Sequence, residues 1–200
     1  MQLKKYSVGM MENNVYLLWD DETKKACLID ASGKEARVSE DAAKLGLDIE
    51  YIILTHGHFD HTDGLDFYRE AFPDAKLIAA KKEAKMLYDR KLSRGKGGIV
   101  ADIQVVDGDS ILLGNSKLLF IETPGHSSGS MCILAGKNLF SGDTLFQASV
   151  GRTDFPGGSW DELEVSIRNK LFVLPDDTRV LPGHMDETTI GFEKRYNPFV

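Results

Sequence analysis

The sequence predicts a mixed α/β fold in which two mixed β-sheets pack face to face between outer helices, an αββα sandwich. Each half of the chain begins with several short β-like runs and continues with a helix, a strand and a polar loop. Packing two sheets against each other, with helices outside, buries both sets of strands. No Pro-rich or Ser-rich linker interrupts the 200 residues, so we predict a single domain over residues 1–200.

The first half is predicted to begin with antiparallel strands and to continue with a repeated βαβ pattern. Runs rich in apolar residues predict strands at 4–10, 15–19 and 26–29, followed by a helix that Gly46 ends. The continuous apolar run at 51–54 predicts a buried strand, and Pro73 ends the helix that follows it. Beyond Pro73 we predict a strand at 76–80 and a helix at 81–94.

The second half is predicted to repeat this order. Apolar runs predict a second meander at 103–106, 111–113 and 117–122, then strands at 131–134 and 138–140. Ser159 and Glu162 match a helix-start capping box, which predicts a helix over 159–172. A strand at 179–181 and a closing helix at 188–196, before Pro198, complete the chain.

Composition restricts the class of partner. The formal net charge of −7 and the pI near 5.2 oppose binding to a phosphate backbone, so we expect no nucleic-acid partner. No secretory signal and no apolar run of membrane-spanning length is visible. Cys27 and Cys132 each lie in an apolar stretch, which favours two buried thiols. These features predict a cytoplasmic protein with no membrane partner.

Residues 55–64 carry three histidines and two aspartates directly after the apolar run at 51–54. His56, His58, Asp60 and His61 form an H-x-H-x-D-H pattern, and imidazole nitrogen and carboxylate oxygen both suit Zn²⁺, Fe and Mn²⁺. His56 and His58 are two residues apart, so on extended backbone they project to the same side. A single histidine is usually structural, but three at this spacing predict most of a metal site.

The two remaining histidines lie in glycine-containing loops that also follow strand-like runs. His126 follows Pro-Gly, His184 follows Pro-Gly, and Asp143 follows Ser-Gly. Seven candidate ligands are too many for one tetrahedral metal and suit a pair of metals about 3.5–4 Å apart. Asp143 is the predicted bridge, because it is the one carboxylate on a loop of this design.

These motifs, in this order, resemble those of the metallo-β-lactamase superfamily over essentially the whole chain. Gly151-Arg152-Thr153-Asp154-Phe155 and the C-terminal residues 187–199 resemble the small glyoxalase II-like (hydroxyacylglutathione hydrolase-like) proteins of that superfamily most closely. The resemblance implies one metal on His56, His58 and His126. It implies a second metal on Asp60, His61 and His184, with Asp143 between the two.

The resemblance also implies a reaction. A water bridging two divalent ions, most readily Zn²⁺ with Fe or Mn²⁺ as alternatives, loses a proton near neutral pH, and the hydroxide attacks a thioester or ester carbonyl. Asp60 would orient that hydroxide, and Asp143 would position it as the bridge. The expected substrate is of the S-2-hydroxyacylglutathione type or a related ester. Full-length glyoxalase II carries a C-terminal helical domain for glutathione that this chain is expected to lack.

Other functions are open from the sequence. A persulfide dioxygenase shares the fold but uses one iron, through the equivalents of His56, His126 and Asp143. A lactonase and a non-catalytic metal-binding protein are further alternatives. A true β-lactamase is less favoured because those enzymes lack the bridging carboxylate, and the net charge argues against RNA-processing relatives.

Two local features carry further predictions. Residues 81–96 contain seven basic residues against Glu83 and Asp89, which fits either a basic lid for an anionic substrate or a solvated helix before a flexible Gly-rich loop. We favour the solvated helix. Met185-Asp186 stands where the family commonly has Gly-Pro, so we expect a larger and more acidic wall near the second metal.

Overall fold

Two six-stranded mixed β-sheets pack face to face with helices on their outer sides in the computed structural model, which describes residues 1–200. The predicted αββα sandwich is confirmed. No helix in it combines the length and the apolar character needed to cross a membrane. The strands are β1 (Gln2–Val8), β2 (Asn13–Trp19), β3 (Lys25–Ile29), β4 (Asp48–Ile53), β5 (Lys76–Ala80), β6 (Ile103–Val105), β7 (Ser110–Leu113), β8 (Ser116–Glu122), β9 (Met131–Ala135), β10 (Asn138–Gly142), β11 (Leu145–Phe146), β12 (Ser149–Val150), β13 (Arg179–Pro182) and β14 (Thr188–Thr189).

The first sheet has the order β1-β2-β3-β4-β5-β6, antiparallel from β1 to β3 and parallel from β3 to β6. The second has the order β14-β13-β10-β9-β8-β7, and β11 pairs with β12 in a separate ribbon. A 3₁₀ turn, Lys81–Glu83, precedes the fourth helix, and a π-helical turn, Ile167–Leu171, continues the sixth. The helices are α1 (Ala36–Leu45), α2 (Phe59–Thr62), α3 (Leu65–Ala71), α4 (Ala84–Tyr88), α5 (Arg90–Ser93), α6 (Trp160–Ser166) and α7 (Ile190–Tyr196).

Three apolar layers hold the sandwich together, and alternation along the strands assigns residues to them. In β2, Leu17 packs with the helices outside the first sheet, whereas Leu18 faces the second sheet. Between the sheets, Ile53 packs in the same layer as Phe120. A third layer lies between the second sheet and the helices α6 and α7, with Leu163 at its centre.

Two expectations about local structure are wrong. The strand at 103–105 does not begin a second meander, because β6 pairs in parallel with β5 in the first sheet. The single helix expected at 81–94 is divided into a 3₁₀ turn, α4 and α5. Asp89 divides it: its backbone is extended, with φ −86° and ψ 112°, and its side chain accepts hydrogen bonds from the first backbone amides of α5. The prediction for Cys27 and Cys132 is confirmed, since both thiols are buried and unpaired.

Candidate metal centre

Four loops bring the predicted ligands to one end of the sandwich, each at the carboxyl end of a strand. The loop after β4 carries His56 and His58 on extended backbone and continues into α2, which carries Asp60 and His61. The loops after β8, β10 and β13 supply the remaining three ligands, and the loop after β3 supplies a supporting carboxylate described below. In sheets flanked by helices, the carboxyl ends of strands are where ligands commonly bind.

The side chains of all seven predicted residues lie together. They form three overlapping groups whose potential ligand atoms lie within 4.8 Å of one another. The groups are His56, His58 and His126; His56, His61 and Asp143; and Asp60, His61 and His184.

Asp143 lies between the first and the last of these groups. Its Oδ2 is 3.6 Å from His126 Nε2 and 3.6 Å from His184 Nε2, and its Oδ1 is 3.3 Å from His61 Nε2. One carboxylate therefore faces ligands of both predicted metals. In the last group, Asp60 Oδ2 is 3.2 Å from His184 Nε2.

Unpaired buried atoms show that this donor set fits divalent cations. His56 Nε2 and Asp143 Oδ1 are buried and have no hydrogen-bond partner in the protein, and His58 Nδ1 faces His126 Nε2 at 2.8 Å. Buried polar atoms in folded proteins almost always have a partner, so two orphans beside two facing imidazole nitrogens require an explanation. Imidazole nitrogen and carboxylate oxygen are ligands that Zn²⁺, Fe and Mn²⁺ share.

The protein fixes four of the five imidazoles through Nδ1 and leaves Nε2 turned towards the centre. His126 Nδ1 donates to the Arg152 carbonyl oxygen at 2.8 Å, and His184 Nδ1 donates to the Met11 carbonyl oxygen at 3.0 Å. A hydrogen bond at one ring nitrogen sets the tautomer and presents the lone pair of the other nitrogen to a metal.

Asp30 orients the other two of these four imidazoles. Its Oδ2 accepts from His61 Nδ1 at 2.8 Å, and both of its oxygens accept from the Thr55 hydroxyl at 2.9–3.0 Å. Because that hydroxyl donates to Asp30, it accepts from His56 Nδ1 at 3.1 Å. Asp30 is 2% exposed. Through these hydrogen bonds it supports one predicted ligand of each metal, His56 and His61.

Sequence reasoning missed Asp30, although it directly follows the apolar strand β3 as the ligands follow theirs. Three hydroxyl groups on the ligand loops do not orient an imidazole. Ser127 Oγ bonds Ser130 Oγ at 2.7 Å, Thr144 Oγ1 bonds Thr123 Oγ1 at 2.9 Å, and Ser128 is exposed.

Protonation states at neutral pH suit metal binding. Burial and the neighbouring imidazoles lower the pKa of His56 well below its usual range, and burial with His126 lowers the pKa of His58 to about 4. Burial opposes ionisation of Asp143, but His61 lowers its pKa below the usual value. Burial would lower the pKa of His61, yet Asp143 and Asp30 raise it, so an incoming cation displaces a proton there.

Glu83 connects two of the ligand loops and was also missed, because its sequence context is a basic run. It is 1% exposed, and its Oε1 accepts from the Gly57 amide, between His56 and His58, at 2.9 Å. Its Oε2 lies against Gly129, where an added Cβ would be 2.5 Å away. Glu83 thus holds the loop after β4 against the loop that carries His126.

Replacing Glu83 by alanine is expected to lower the free energy of unfolding by about 1–3 kcal/mol, because the buried Gly57 amide loses its acceptor. Glu83→Gln keeps an acceptor oxygen and is the matched control, with a smaller expected loss. Urea unfolding of the metal-loaded protein measures both. Equal stability of Glu83→Ala and the unmodified protein would contradict the connecting role.

An open cleft of about 430 Å³ leads to the cluster. Met11, Phe59 and Phe155 give it apolar walls, and the Phe155 ring packs edge-on against His58 with 5.6 Å between ring centroids. Tyr88 and Trp160 lie outside this cleft. Arg152 and Asp154 form an ion pair beside it, with two hydrogen bonds of 2.6 and 2.7 Å.

The Met185-Asp186 pair does not form the expected acidic wall. Neither side chain lines the cleft, Met185 is 53% exposed, and the Asp186 carboxylate lies 3.9 Å from Lys5 Nζ. Met185 has φ +67°, the left-handed region that favours glycine, and Asn14 donates to its carbonyl oxygen at 2.9 Å. Gly183 is needed for close packing, since a Cβ there would lie 2.4 Å from Asp143 Oδ1.

Comparison with known proteins decides the family. A family model described as the metallo-beta-lactamase superfamily matches residues 8–184. The chain belongs to this superfamily. Histidine and aspartate clusters on a metallo-β-lactamase fold imply divalent metal ions.

Relatives within the superfamily align end to end. Hydroxyacylglutathione hydrolase GloC of Haemophilus influenzae is 32% identical over the whole of this chain and 98% of its own length. The crystal structure of the B3 metallo-beta-lactamase BLEG-1 superposes with a TM-score of 0.91 at 35% identity, covering 99% of both chains. TTHA1623 in a di-iron-bound form superposes with a TM-score of 0.86 at 32% identity, covering 98% of this chain and 100% of its own.

Proposed function

We propose that this protein is a dinuclear metallo-hydrolase that cleaves thioesters of the S-2-hydroxyacylglutathione type, or a related ester. The observation that carries the proposal is the Asp143 carboxylate, which faces His126 on one side and His61 and His184 on the other. The name of the relative GloC supports a hydroxyacyl thioester as substrate, and the di-iron form of TTHA1623 supports two metals.

His56, His58 and His126 would hold one cation, with Asp60, His61 and His184 holding the other and Asp143 serving both. Bound there, two divalent cations would polarise a carbonyl as Lewis acids and lower the pKa of water. Zn²⁺ suits this ligand set best, and Fe and Mn²⁺ fit the same donors. These assignments keep the ligand division that the family resemblance implies.

The chain's own residues would orient the reactants. Asp60 lines the cleft, and Asn13 Nδ2 donates to its Oδ2 at 3.0 Å, which fixes the carboxylate where it can accept a hydrogen bond from the attacking water. Phe155 and Met11 would cover the acyl group and exclude bulk water. The leaving thiolate needs no general acid, because a thiol pKa of about 8.5 makes it a stable anion.

The test pairs metal analysis of the purified protein with hydrolysis of S-lactoylglutathione. We expect two metals per chain and thioester cleavage, with both lost in His56→Ala. One iron per chain with oxygen uptake on glutathione persulfide would replace the hydrolase with a dioxygenase. Tight metal binding with no turnover of a thioester, lactone, β-lactam or persulfide would replace it with a non-catalytic metal protein.

A further inference from the structure

One basic side chain of the segment 81–96 lines the cleft. Of its seven basic residues, Arg94 lines the cleft beside His58, His126 and Asp143. Its guanidinium carbon lies 4.4 Å from the centroid of the Phe155 ring, a cation–π distance. The other six basic residues are exposed and do not line the cleft, as expected of a solvated face.

Arg94 is held in this place by the backbone around it. It has φ +58° and ψ 18° at the end of α5, a left-handed conformation that non-glycine residues seldom adopt. The next residue, Gly95, packs so closely that an added Cβ would lie 2.8 Å from Phe59 Cβ. The Gly98 amide then donates to the Tyr88 carbonyl oxygen at 2.9 Å. The Gly-rich loop is thus anchored to the body of the protein. The flexible loop expected from the sequence is not observed.

Arg94 carries a positive charge at the cleft mouth that no carboxylate pairs with. The neighbouring Arg152 also lies over Phe155, at 3.8 Å from the ring centroid, but Asp154 accepts two hydrogen bonds from it. Arg94 is exposed and forms no ion pair. Asp154 lies close enough for Arg94 to lower its pKa, yet both of its hydrogen bonds are to Arg152. Two guanidinium groups and one carboxylate leave one net positive charge beside the entrance.

We propose that Arg94 is a specificity-determining residue that binds a carboxylate on the leaving-group side of the substrate. This rests on the proposed thioester hydrolysis, and it adds a requirement: the thiol released carries an anionic group within reach of the cleft mouth. A guanidinium stacked on an aromatic ring is pre-oriented, and its planar fork matches a carboxylate in two hydrogen bonds. The Phe155 ring lies at a cation–π distance from the guanidinium and favours this position of the side chain beside the cleft.

The test compares two thioesters that differ only in this charge: the S-lactoyl thioester of 3-mercaptopropionate and that of 3-mercaptopropanamide. In Arg94→Gln we expect KM for the carboxylate substrate to rise by about 10-fold or more, with kcat little changed, because the charged hydrogen bonds to the carboxylate are lost. Kinetics on the carboxamide should stay within about twofold. Arg94→Lys keeps the charge, so its KM for the carboxylate substrate should lie between those of the unmodified protein and Arg94→Gln.

Lys96→Gln is the matched control. It removes the same charge from the same loop, two residues away, where Lys96 pairs with Asp66 outside this cleft. It should leave the preference for the carboxylate intact. Equal changes on both substrates in Arg94→Gln, or an equal loss of preference in Lys96→Gln, would overturn the role of Arg94.

A binding measurement separates this proposal from the proposed function. The non-hydrolysable thioethers S-(2-hydroxypropyl)-3-mercaptopropionate and its carboxamide are titrated calorimetrically into the metal-loaded protein. We expect the carboxylate to bind about 10-fold tighter or more, and Arg94→Gln to remove the difference. If the protein prefers the carboxylate through Arg94 but hydrolyses no thioester, only the proposed hydrolase function is contradicted. If both thioesters are hydrolysed with no preference for the carboxylate, only the proposed role of Arg94 is contradicted.

Discussion

Replacing Asp143 by alanine is expected to lower the rate of S-lactoylglutathione hydrolysis by on the order of 10³-fold, about 4 kcal/mol in activation free energy. It should also lower bound metal from two per chain to one or fewer. Asp143 is the carboxylate that faces His126 in one ligand group and His61 and His184 in the other. Without it, both ligand groups lose an anionic oxygen, and the imidazoles of His61, His126 and His184 lose their common counter-charge.

Elemental analysis of dialysed protein and steady-state kinetics at fixed metal concentration measure the two effects together. Asp186→Asn is the control, because that carboxylate follows the last histidine by two residues, lies outside the cleft and pairs only at 3.9 Å with Lys5. Near-normal activity with two metals in Asp143→Ala would contradict a shared carboxylate. Circular dichroism confirms that each variant is folded before metal is measured.

Replacing Asp30 by asparagine is expected to weaken metal affinity by about 10–100-fold, although Asp30 touches no predicted metal. The asparagine amide can donate to His61 Nδ1 and thereby favour the tautomer that carries its proton on Nε2, where the metal lone pair is needed. The link through Thr55 to His56 weakens at the same time. Asp30 has φ +60°, and asparagine tolerates this region as aspartate does, so the backbone is retained.

Asp30→Ala should be more severe and cost about 3–5 kcal/mol in folding, because it leaves the charged partners of a buried network unpaired. Competition with a chelator measures affinity, and unfolding in the presence of excess chelator measures stability without metal. Asp20→Asn is the control: Asp20 is also buried and accepts the Thr23 amide at 2.9 Å, but in a turn outside the centre. Wild-type metal affinity in Asp30→Asn would show that the ring orientation of His61 does not depend on this carboxylate.

The residues that cluster as candidate ligands were predictable from the sequence, and the residues that support them were not, for one physical reason. Each predicted ligand can be recognised from its neighbouring residues. His126, Asp143 and His184, for example, are polar residues in glycine turns after apolar strands. Asp30 and Glu83 act through contacts with residues 25 and 26 positions away, which only the pairing of strands and helices brings close. Asp30 follows an apolar strand, but without the preceding glycine or the neighbouring histidines that mark the ligand loops, and Glu83 stands in a basic run.

The fold shows the same division. Alternation and apolar runs predicted the two sheets, because burial follows a period of two along a strand. The sheet that β6 joins depends on a crossover and not on local pattern. The break at Asp89 depends on a competing helix cap, in which one side chain accepts from two backbone amides. The charge run at 81–96 likewise gave no sign that Arg94, out of seven basic residues, reaches Phe155.

The central claim is that the seven side chains hold two metals with Asp143 between them. Anomalous scattering from crystals of the metal-loaded protein, collected at the metal absorption edge, tests it most directly. We predict two peaks about 3.5–4 Å apart, one beside His56, His58 and His126 and the other beside Asp60, His61 and His184. A single peak, or a second peak away from Asp143, would contradict it.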